Sequence, residues 1–110
     1  LLCDEVVAII DKEYANESLS LTDISERLYV SPNYLSSLIK KHKKVNFTGL
    51  VTERRMRAAA DMLVMTQMKI LEIAERCGYS DQHYFSYCFK KYYGMTPMKM
   101  REGQRRDSSG

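Results

Sequence analysis

The stretch that decides the fold reads AERCGYSDQHYFSYCFKKYYGMTP, from Ala74 to Pro97. Gly78 suits the left-handed exit of a short helix, and Asp81, a little further on, is a favoured N-cap residue. Apolar side chains then recur at three- and four-residue steps until Gly94, which is typical of a helix with one buried face. The stretch therefore predicts a short helix, a tight turn and a second, capped helix that ends near two lysines.

A second copy of this pattern lies earlier in the chain. Residues 21–27 read LTDISER and residues 70–76 read ILEIAER, an offset of 49. Beyond the turn the offset becomes 50, because the second turn has one extra residue, and both capped helices carry a Lys-Lys pair near their ends. A short helix, a tight turn and a second helix form a helix-turn-helix unit. Two unrelated amphipathic hairpins are the alternative, but two matched copies with basic ends favour DNA binding.

The remaining segments also predict helices, and no segment has a convincing strand pattern. Apolar residues recur at helical spacing over about residues 3–16, and a helix of about 18 residues, roughly 27 Å long, follows Asn46. Thr96-Pro97 repeats the cap-then-proline signal of Ser31-Pro32 and opens a last short helix. We expect an all-α fold of about seven helices with two homeodomain-like helix-turn-helix subdomains. The predicted segments are a first subdomain over 1–46, a linker helix over 47–66, a second subdomain over 67–102 and a flexible tail over 103–110.

The composition is that of a soluble globular chain whose charge is unevenly distributed. The 110 residues are 45% hydrophobic and 28% charged, with a net charge of +3. Residues 1–30 contain seven acids and two bases, whereas residues 31–110 contain seven acids and fifteen bases, a local charge of +8. Because most of the chain is basic after an acidic N-terminal segment, the charge distribution favours a polyanionic partner, and nucleic acid is the first candidate.

Several classes of protein are disfavoured by what the sequence lacks. No apolar run approaches the roughly 20 residues of a membrane span, and no signal peptide is recognisable. Three cysteines without a CxxC motif fit a reducing, cytoplasmic setting. His42 and His83 have no metal-ligand spacing to a cysteine, and there is no nucleophile–base pair, P-loop or dinucleotide motif. We therefore expect no membrane partner, no metal, no cofactor and no enzymatic activity.

Residues 74–97 closely resemble the signature of the AraC/XylS family of bacterial transcription regulators. That signature runs A-x-x-x-G-F/Y, then D-x-x-Y-F, then F-K-K-x-x-G-x-T-P, and the resemblance extends over about residues 5–101. Residues 28–36 look most like response regulators that join a receiver domain to this module. The resemblance implies sequence-specific binding of double-stranded DNA by a C-terminal module. It also implies an absent N-terminal sensor or receiver domain, and RNA polymerase as a further candidate partner.

Three positions depart from the family's pattern. Lys44 stands where the first unit usually has glycine, so we expect the chain exit there to be either strained or differently shaped. Tyr87 stands where the second unit usually has a cation, and Met100 replaces an aromatic residue beside Arg101. We expect Tyr87 to face away from the core, and the alternative is that its ring folds back over the turn at Tyr79.

A helix-turn-helix unit places its second helix in the major groove, where base edges are distinguishable. The candidate base-reading residues are Asn33, Ser36 and Ser37 in the first unit and Gln82, His83, Ser86 and Tyr87 in the second. The candidate DNA-backbone residues are Ser31, Lys40, Lys41, Arg54, Arg55, Asp81, Lys90, Lys91 and Arg101. Neither second helix has an arginine for guanine, so base contacts should be modest and DNA shape should contribute. Each lysine could instead be a solvated charge, and Arg55 could pair with an acid to brace the subdomains.

The aromatic and methionine residues have two interpretations. Tyr84, Phe85, Phe89, Tyr92 and Tyr93 could form a base-stacking platform, but their helical spacing favours core packing. The seven methionines are likewise expected to fill the core. For the whole chain, the alternative to DNA binding is a helical protein-interaction module whose basic face docks an acidic partner. An RNA-binding function lacks the usual RRM, KH or OB signals.

Overall fold

The computed structural model describes the backbone of residues 1–109 and the side chains of residues 1–104. Within these residues the chain forms seven α-helices and no β-strand, which confirms the predicted all-α fold. The helices are α1 (Leu2–Glu13), α2 (Leu21–Arg27), α3 (Pro32–Lys43), α4 (Phe47–Met65), α5 (Ile70–Arg76), α6 (Gln82–Tyr93) and α7 (Pro97–Ser109). The chain divides into two compact units, the first spanning Leu1–Arg54 and the second beginning at Arg55, within α4.

Short-range hydrogen bonds start several of these helices. The hydroxyls of Ser20 and Ser31 each accept from the backbone N–H three residues later, both at 3.1 Å. The carboxylate of Asp81 accepts from two N–H groups of the first turn of α6, at 2.8 and 3.2 Å. The side chain of Asn46 accepts from the N–H three residues later at 2.8 Å. These bonds satisfy donors that a helix leaves free at its N-terminus, and those of Ser31 and Asp81 confirm the predicted caps.

Left-handed residues shape both units in the same way. Tyr29 (φ 58°) and Gly78 (φ 90°) lie in the turns, and Lys44 (φ 64°) and Gly94 (φ 78°) end α3 and α6. A positive φ brings the side chain of an L-residue close to its own backbone, and only glycine avoids that contact. Lys44 therefore confirms the strained exit that was predicted for a non-glycine residue at this position.

The structure locates the extra residue of the second turn. The N–H of Val30 donates to the carbonyl of Ser25 at 3.1 Å, and the N–H of Tyr79 donates to the carbonyl of Ala74 at 2.9 Å. The two bonds are related by the offset of 49, so both turns follow the same path up to this point. Ser80 is then the additional residue that changes the offset to 50 before α6 begins.

The core of the first unit is formed mainly by α1, α2 and α3. Its buried apolar residues are Cys3, Val6, Ile10, Leu19, Ile24, Leu35, Ile39 and Val51. Burying one such aliphatic side chain completely contributes about 1.5–3 kcal/mol relative to leaving it in water. Leu35 and Ile39 anchor α3 on this core, so the opposite side of α3 faces solvent.

The core of the second unit contains the two phenylalanines of α6. Its buried apolar residues are Met56, Ala58, Ala59, Leu63, Ile73, Ala74, Cys77, Tyr79, Phe85 and Phe89. The rings of Phe85 and Phe89 lie 5.8 Å apart, and that of Phe85 lies 5.4 Å from Tyr79. The predicted burial of both phenylalanines is confirmed.

The methionines are only partly core residues. Met56 is fully buried as predicted, but Met65 is 80% exposed, and Met95 and Met98 are also exposed. The prediction is wrong for these three because they lie at or beyond helix ends. Met65 is the last residue of α4, Met95 lies between helices and Met98 is in the first turn of α7.

The terminal helices differ from their predicted bounds. α1 ends at Glu13 rather than near residue 16, where a turn closes with the N–H of Asn16 donating to the Glu13 carbonyl at 2.9 Å. α7 continues to Ser109 and so includes most of the segment predicted as a tail, because Gly103 does not adopt a left-handed φ that would end it. Gly110 lies outside the described residues. No helix described is both long and apolar enough to cross a membrane.

Candidate nucleic-acid interface

The two second helices, α3 and α6, expose the same positions. From Ser31 to Lys40 and from Asp81 to Lys90, each residue of one helix has the same degree of burial as its counterpart 50 residues away. The buried anchors are Leu35 and Ile39 in the first helix and Phe85 and Phe89 in the second. We call the residues on the opposite side the outward faces. They are Pro32, Asn33, Tyr34, Ser37 and Lys40 on α3, and Gln82, His83, Tyr84, Tyr87 and Lys90 on α6.

Most of the predicted base-reading residues lie on the outward faces. Asn33, Ser37, Gln82, His83 and Tyr87 are exposed. The predicted pair Ser36 and Ser86 is half-buried, at the edge of each face. Hydroxyl and amide groups at these positions can donate to and accept from base edges.

Exposed lysines stand at the C-terminal ends of the outward faces, in unequal numbers. The first unit has Lys40, Lys41, Lys43 and Lys44, and the second has Lys90 and Lys91. Cations in the last turn of a helix also interact favourably with the helix dipole, so part of their role is local. The end of α3 therefore offers more lysines to a phosphate backbone than the end of α6.

Arg54 interacts within the first unit. Its Nε donates to the carboxylate of Asp11 at 3.0 Å, and its guanidinium lies 4.3 Å from the centre of the Tyr14 ring. About a quarter of the side chain, 26%, remains exposed. The guanidinium predicted to contact phosphate thus already holds α4 against α1.

Arg101 corrects the prediction for the C-terminal arginine. The residue is only 8% exposed. Its guanidinium donates from Nε to the Leu63 carbonyl at 3.1 Å and from Nη2 to the Thr66 carbonyl at 3.3 Å. These carbonyls are at the C-terminal end of α4, where four carbonyls lack helical partners. Arg101 is therefore buried as a cap that joins α7 to α4, which disfavours the phosphate contact that the sequence predicted.

Arg55 lies beside an aromatic ring. Its guanidinium is 5.6 Å from the centre of the Tyr79 ring, within cation–π distance. Burial raises the pKa of Tyr79 to about 12, although the charge of Arg55 acts in the opposite direction. Tyr79 is therefore neutral at physiological pH, and Arg55 is positioned within the second unit by this ring.

Ser31 and Asp81 act as helix caps in the structure. Each side-chain oxygen accepts backbone N–H bonds from the first turn of its outward-facing helix. The hydroxyl of Ser31 keeps a hydrogen that can still be donated to a phosphate, whereas an ionised carboxylate only accepts. Asp81 was predicted among the DNA-backbone residues, and its side chain instead supports α6 as an acceptor.

Sequence reasoning missed two exposed tyrosines of α6, one of which lies on its outward face. Tyr84 is 59% exposed and Tyr92 is 45% exposed, so their predicted core packing is wrong. Tyr84 directly precedes Phe85, but Phe85 is fully buried whereas Tyr84 faces solvent. Tyr84 is the counterpart of Tyr34, which the repeat alignment could have identified as an outward position.

Tyr87 is also exposed, at 62%. Its ring stacks on Tyr84 with centres 6.4 Å apart and planes inclined by 26°. Tyr84, rather than Tyr87, lies against Tyr79, at 6.1 Å. The predicted outward orientation of Tyr87 is confirmed, and the alternative that it folds over the turn at Tyr79 is wrong.

No group of three or more His, Cys, Asp or Glu side chains within the described part of the chain could hold a metal ion. The side-chain chemistry of the outward faces is instead that of amides, hydroxyls, aromatic rings and ammonium groups. Such groups bind base edges, sugars and phosphates by hydrogen bonding, apolar contact and charge.

Comparison with known proteins identifies relatives of the whole chain. A family described as a helix-turn-helix domain matches residues 24–103. The C-terminal domain of AraT, a response regulator from Geobacillus stearothermophilus, is 41% identical, with a TM-score of 0.91 over 93% of this chain and 84% of that one. The DNA-binding domain of AdpA, solved in complex with a target DNA, is 19% identical and has the same fold, with a TM-score of 0.88 over 94% of this chain and 93% of that one.

Curated relatives are much longer than this chain. The uncharacterized HTH-type transcriptional regulator YtdP of Bacillus subtilis is 36% identical over 94% of this chain but only 13% of its own length. The chain spans between 13% and 40% of the length of the first curated relatives it matches.

Proposed function

The chain belongs to the AraC-type helix-turn-helix family, and from that premise we propose that it binds a specific double-stranded DNA site as the DNA-binding module of a bacterial transcription regulator. α3 and α6 each enter a major groove, and the two grooves are successive on one face of the duplex. The observation that carries this proposal is the matched exposure of α3 and α6. Each helix keeps two apolar anchors in a core and presents polar groups and a lysine to solvent.

Base discrimination in this proposal depends on amides and hydroxyls. Asn33 and Gln82, exposed near the N-termini of their helices, can each form a bidentate pair with an adenine edge. The outward faces contain no arginine, the side chain that most often grips guanine. Contacts to the DNA backbone and the shape of the duplex should therefore supply much of the affinity and part of the specificity.

Affinity for the phosphate backbone comes mainly from the lysines at the ends of α3 and α6. They are Lys40, Lys41, Lys90 and Lys91, all exposed. Each phosphate that a lysine neutralises releases counterions, which makes binding weaker as salt increases. The helix α4, 19 residues or about 28 Å long, runs from the first unit into the second.

The whole protein acts by binding rather than by catalysis in this proposal, and it acts in the cytoplasm, where bacterial DNA is accessible. A sensor or receiver domain precedes the module, and RNA polymerase is a further partner. Support for the additional domain comes from the greater length of the curated relatives and from the response-regulator name of AraT.

The proposal is tested by selecting a binding site from a random duplex library and footprinting the chain on it. We expect protection of two adjacent major grooves on one face, about two helical turns. Protection of a single turn would show that one unit is structural only. Binding to acidic polypeptides with no preference among duplexes would favour the alternative, a protein-interaction module.

A salt titration tests the lysines directly. Replacing both Lys40 and Lys41 with alanine should weaken binding to every duplex and reduce the slope of log K against log salt by about 1.8. Lys12, exposed on α1 and outside the outward faces, provides the matched control, and its replacement should leave the slope unchanged. An equal slope for the double variant and the wild type would show that the two lysines are merely solvated.

A further inference from the structure

The outward face of α6 carries a stacked aromatic pair. Tyr84 and Tyr87 are more than half exposed, and their ring planes are inclined by only 26° with centres 6.4 Å apart. Single exposed rings are ordinary on a protein surface, whereas adjacent rings that form one apolar patch are typical of a site that contacts a partner. The pair lies among the residues that the matched exposure assigns to DNA contact, between His83 and Lys90.

The outward face of α3 has no such pair. The counterparts of Tyr84 and Tyr87 are Tyr34 and Ser37, so this face offers a single ring. Four lysines stand at the end of α3 and only two at the end of α6. The two outward faces therefore present different chemistry to the same polymer, with more lysines at the end of α3 and more apolar surface on α6.

Neighbouring side chains hold the aromatic pair in place. The ring of Tyr84 lies between Tyr87 and the buried Tyr79, whose centre is 6.1 Å away. A side-chain hydrogen bond with Cys88 raises the pKa of Tyr84, so its hydroxyl stays neutral near phosphates. Because both rings are already packed against neighbours, their contact with a partner costs little side-chain entropy.

Resting on the proposed function, we propose that Tyr84 and Tyr87 read thymine methyl groups in the major groove of the half-site bound by α6. The thymine C5-methyl is the apolar feature of the major-groove edges, and an aromatic ring can cover it. Tyrosine lacks the positive charge that grips phosphate, so this contact gives selectivity without adding salt dependence. The α6 half-site should thus be rich in thymine, whereas the α3 half-site should depend more on charge.

Deoxyuridine substitution tests this inference, because it removes one methyl group and leaves base pairing intact. In the selected duplex, each thymine is replaced singly in both half-sites and the Kd is measured. We expect a loss of about fourfold for a contacted thymine of the α6 half-site, the effect of one buried methyl. The loss should be the same at low and high salt, and thymines of the α3 half-site should give smaller effects.

The variant Tyr87→Ser gives the matched comparison, since it makes the outward face of α6 resemble that of α3. In this variant the deoxyuridine effect at the contacted thymine should shrink to the size seen in the α3 half-site, while circular dichroism should show unchanged helix content because the side chain is exposed. The conservative Tyr87→Phe should retain the effect, since the ring remains.

The outcomes separate this inference from the proposed function. Failure of the wild-type chain to select any duplex refutes the proposed function itself. Two results would overturn the reading of methyl groups while leaving specific duplex binding intact. One is the absence of a deoxyuridine effect in the α6 half-site, and the other is an equal effect in the wild type and in Tyr87→Ser. Tighter binding of single-stranded than of duplex DNA also overturns it, because the rings would then be stacking on unpaired bases.

Discussion

Replacing Arg101 with methionine is expected to destabilise the second unit without changing the DNA affinity of the folded protein. The side chain is 8% exposed, and its guanidinium donates to the carbonyls of Leu63 and Thr66. Methionine has a similar length and fills much of the same space, but it donates no hydrogen bond. The variant thus removes the bonds and the charge while largely preserving the packing.

The magnitude follows from the two bonds. A hydrogen bond from a charged group contributes roughly 1.5–3 kcal/mol, and the 3.1 Å bond to Leu63 is shorter than the 3.3 Å bond to Thr66. We assign the longer bond the lower part of this range and allow for some hydration of the freed carbonyls. The free energy of unfolding should then fall by about 3 kcal/mol. In a unit of this size, such a loss lowers the melting temperature by roughly 12–24 °C.

The assay is chemical denaturation followed by circular dichroism, with DNA affinity measured under conditions where the variant is folded. Arg101→Lys keeps the charge and one donor and should lose less stability than methionine. Arg76→Met is the matched control in the same unit. Its ion pair with Glu72 is 3.5 Å long and exposed, so the expected change is within about 0.5 kcal/mol.

The opposite result would refute the assignment of Arg101. If Arg101→Met were as stable as Arg76→Met and its binding lost about one unit of salt slope, the guanidinium would be contacting a phosphate. The burial of Arg101 and its two carbonyl partners would then not describe the protein in solution.

Three further predictions concern local interactions. Lys44→Gly should raise the free energy of unfolding, measured by denaturation, by about 0.5–1 kcal/mol, because glycine tolerates the left-handed φ of 64°. Gly94→Ala, at φ 78°, should lower the same free energy by about 1 kcal/mol. Asp81→Ala should lower the free energy of unfolding by about 1 kcal/mol, because two N–H groups lose their acceptor. An unchanged denaturation midpoint would contradict the role of Asp81 as a cap. A hydrogen bond from Arg27 lowers the pKa of Glu13 below its ordinary 4.5. The stability that this bond adds to the folded protein is therefore complete above pH 4.5 and is lost as the pH falls through the lower pKa of the folded state. Melting curves in acid should therefore depend less steeply on pH in Glu13→Gln than in the wild type.

The sequence alone determined the helices, their caps and the repeat. These features depend on interactions between residues a few positions apart, such as the bond from Ser31 to the N–H three residues later. Positions with left-handed φ were also predictable where glycine or its replacement, Lys44, follows a helix. Periodicity identified the deepest anchors, Phe85 and Phe89, because the centre of an apolar stripe always faces the core.

The tertiary structure decided which residues at the edge of a stripe remain exposed. Tyr84 has the same spacing as a core residue, yet it faces solvent because the elements packed on α6 cover only part of its circumference. Its contact with Tyr87 then creates an exposed aromatic pair that no spacing rule separates from core packing. The candidate site is therefore richer in aromatic surface than the sequence predicted.

The role of each arginine was likewise decided by distant parts of the chain. Arg101 carries the same charge as a phosphate-binding residue, but its partners are carbonyls 38 and 35 residues earlier. Arg54 meets Asp11, 43 residues away, in the same manner. A side chain's charge is a property of the sequence, whereas its burial and its partners depend on which segments the folded core brings together.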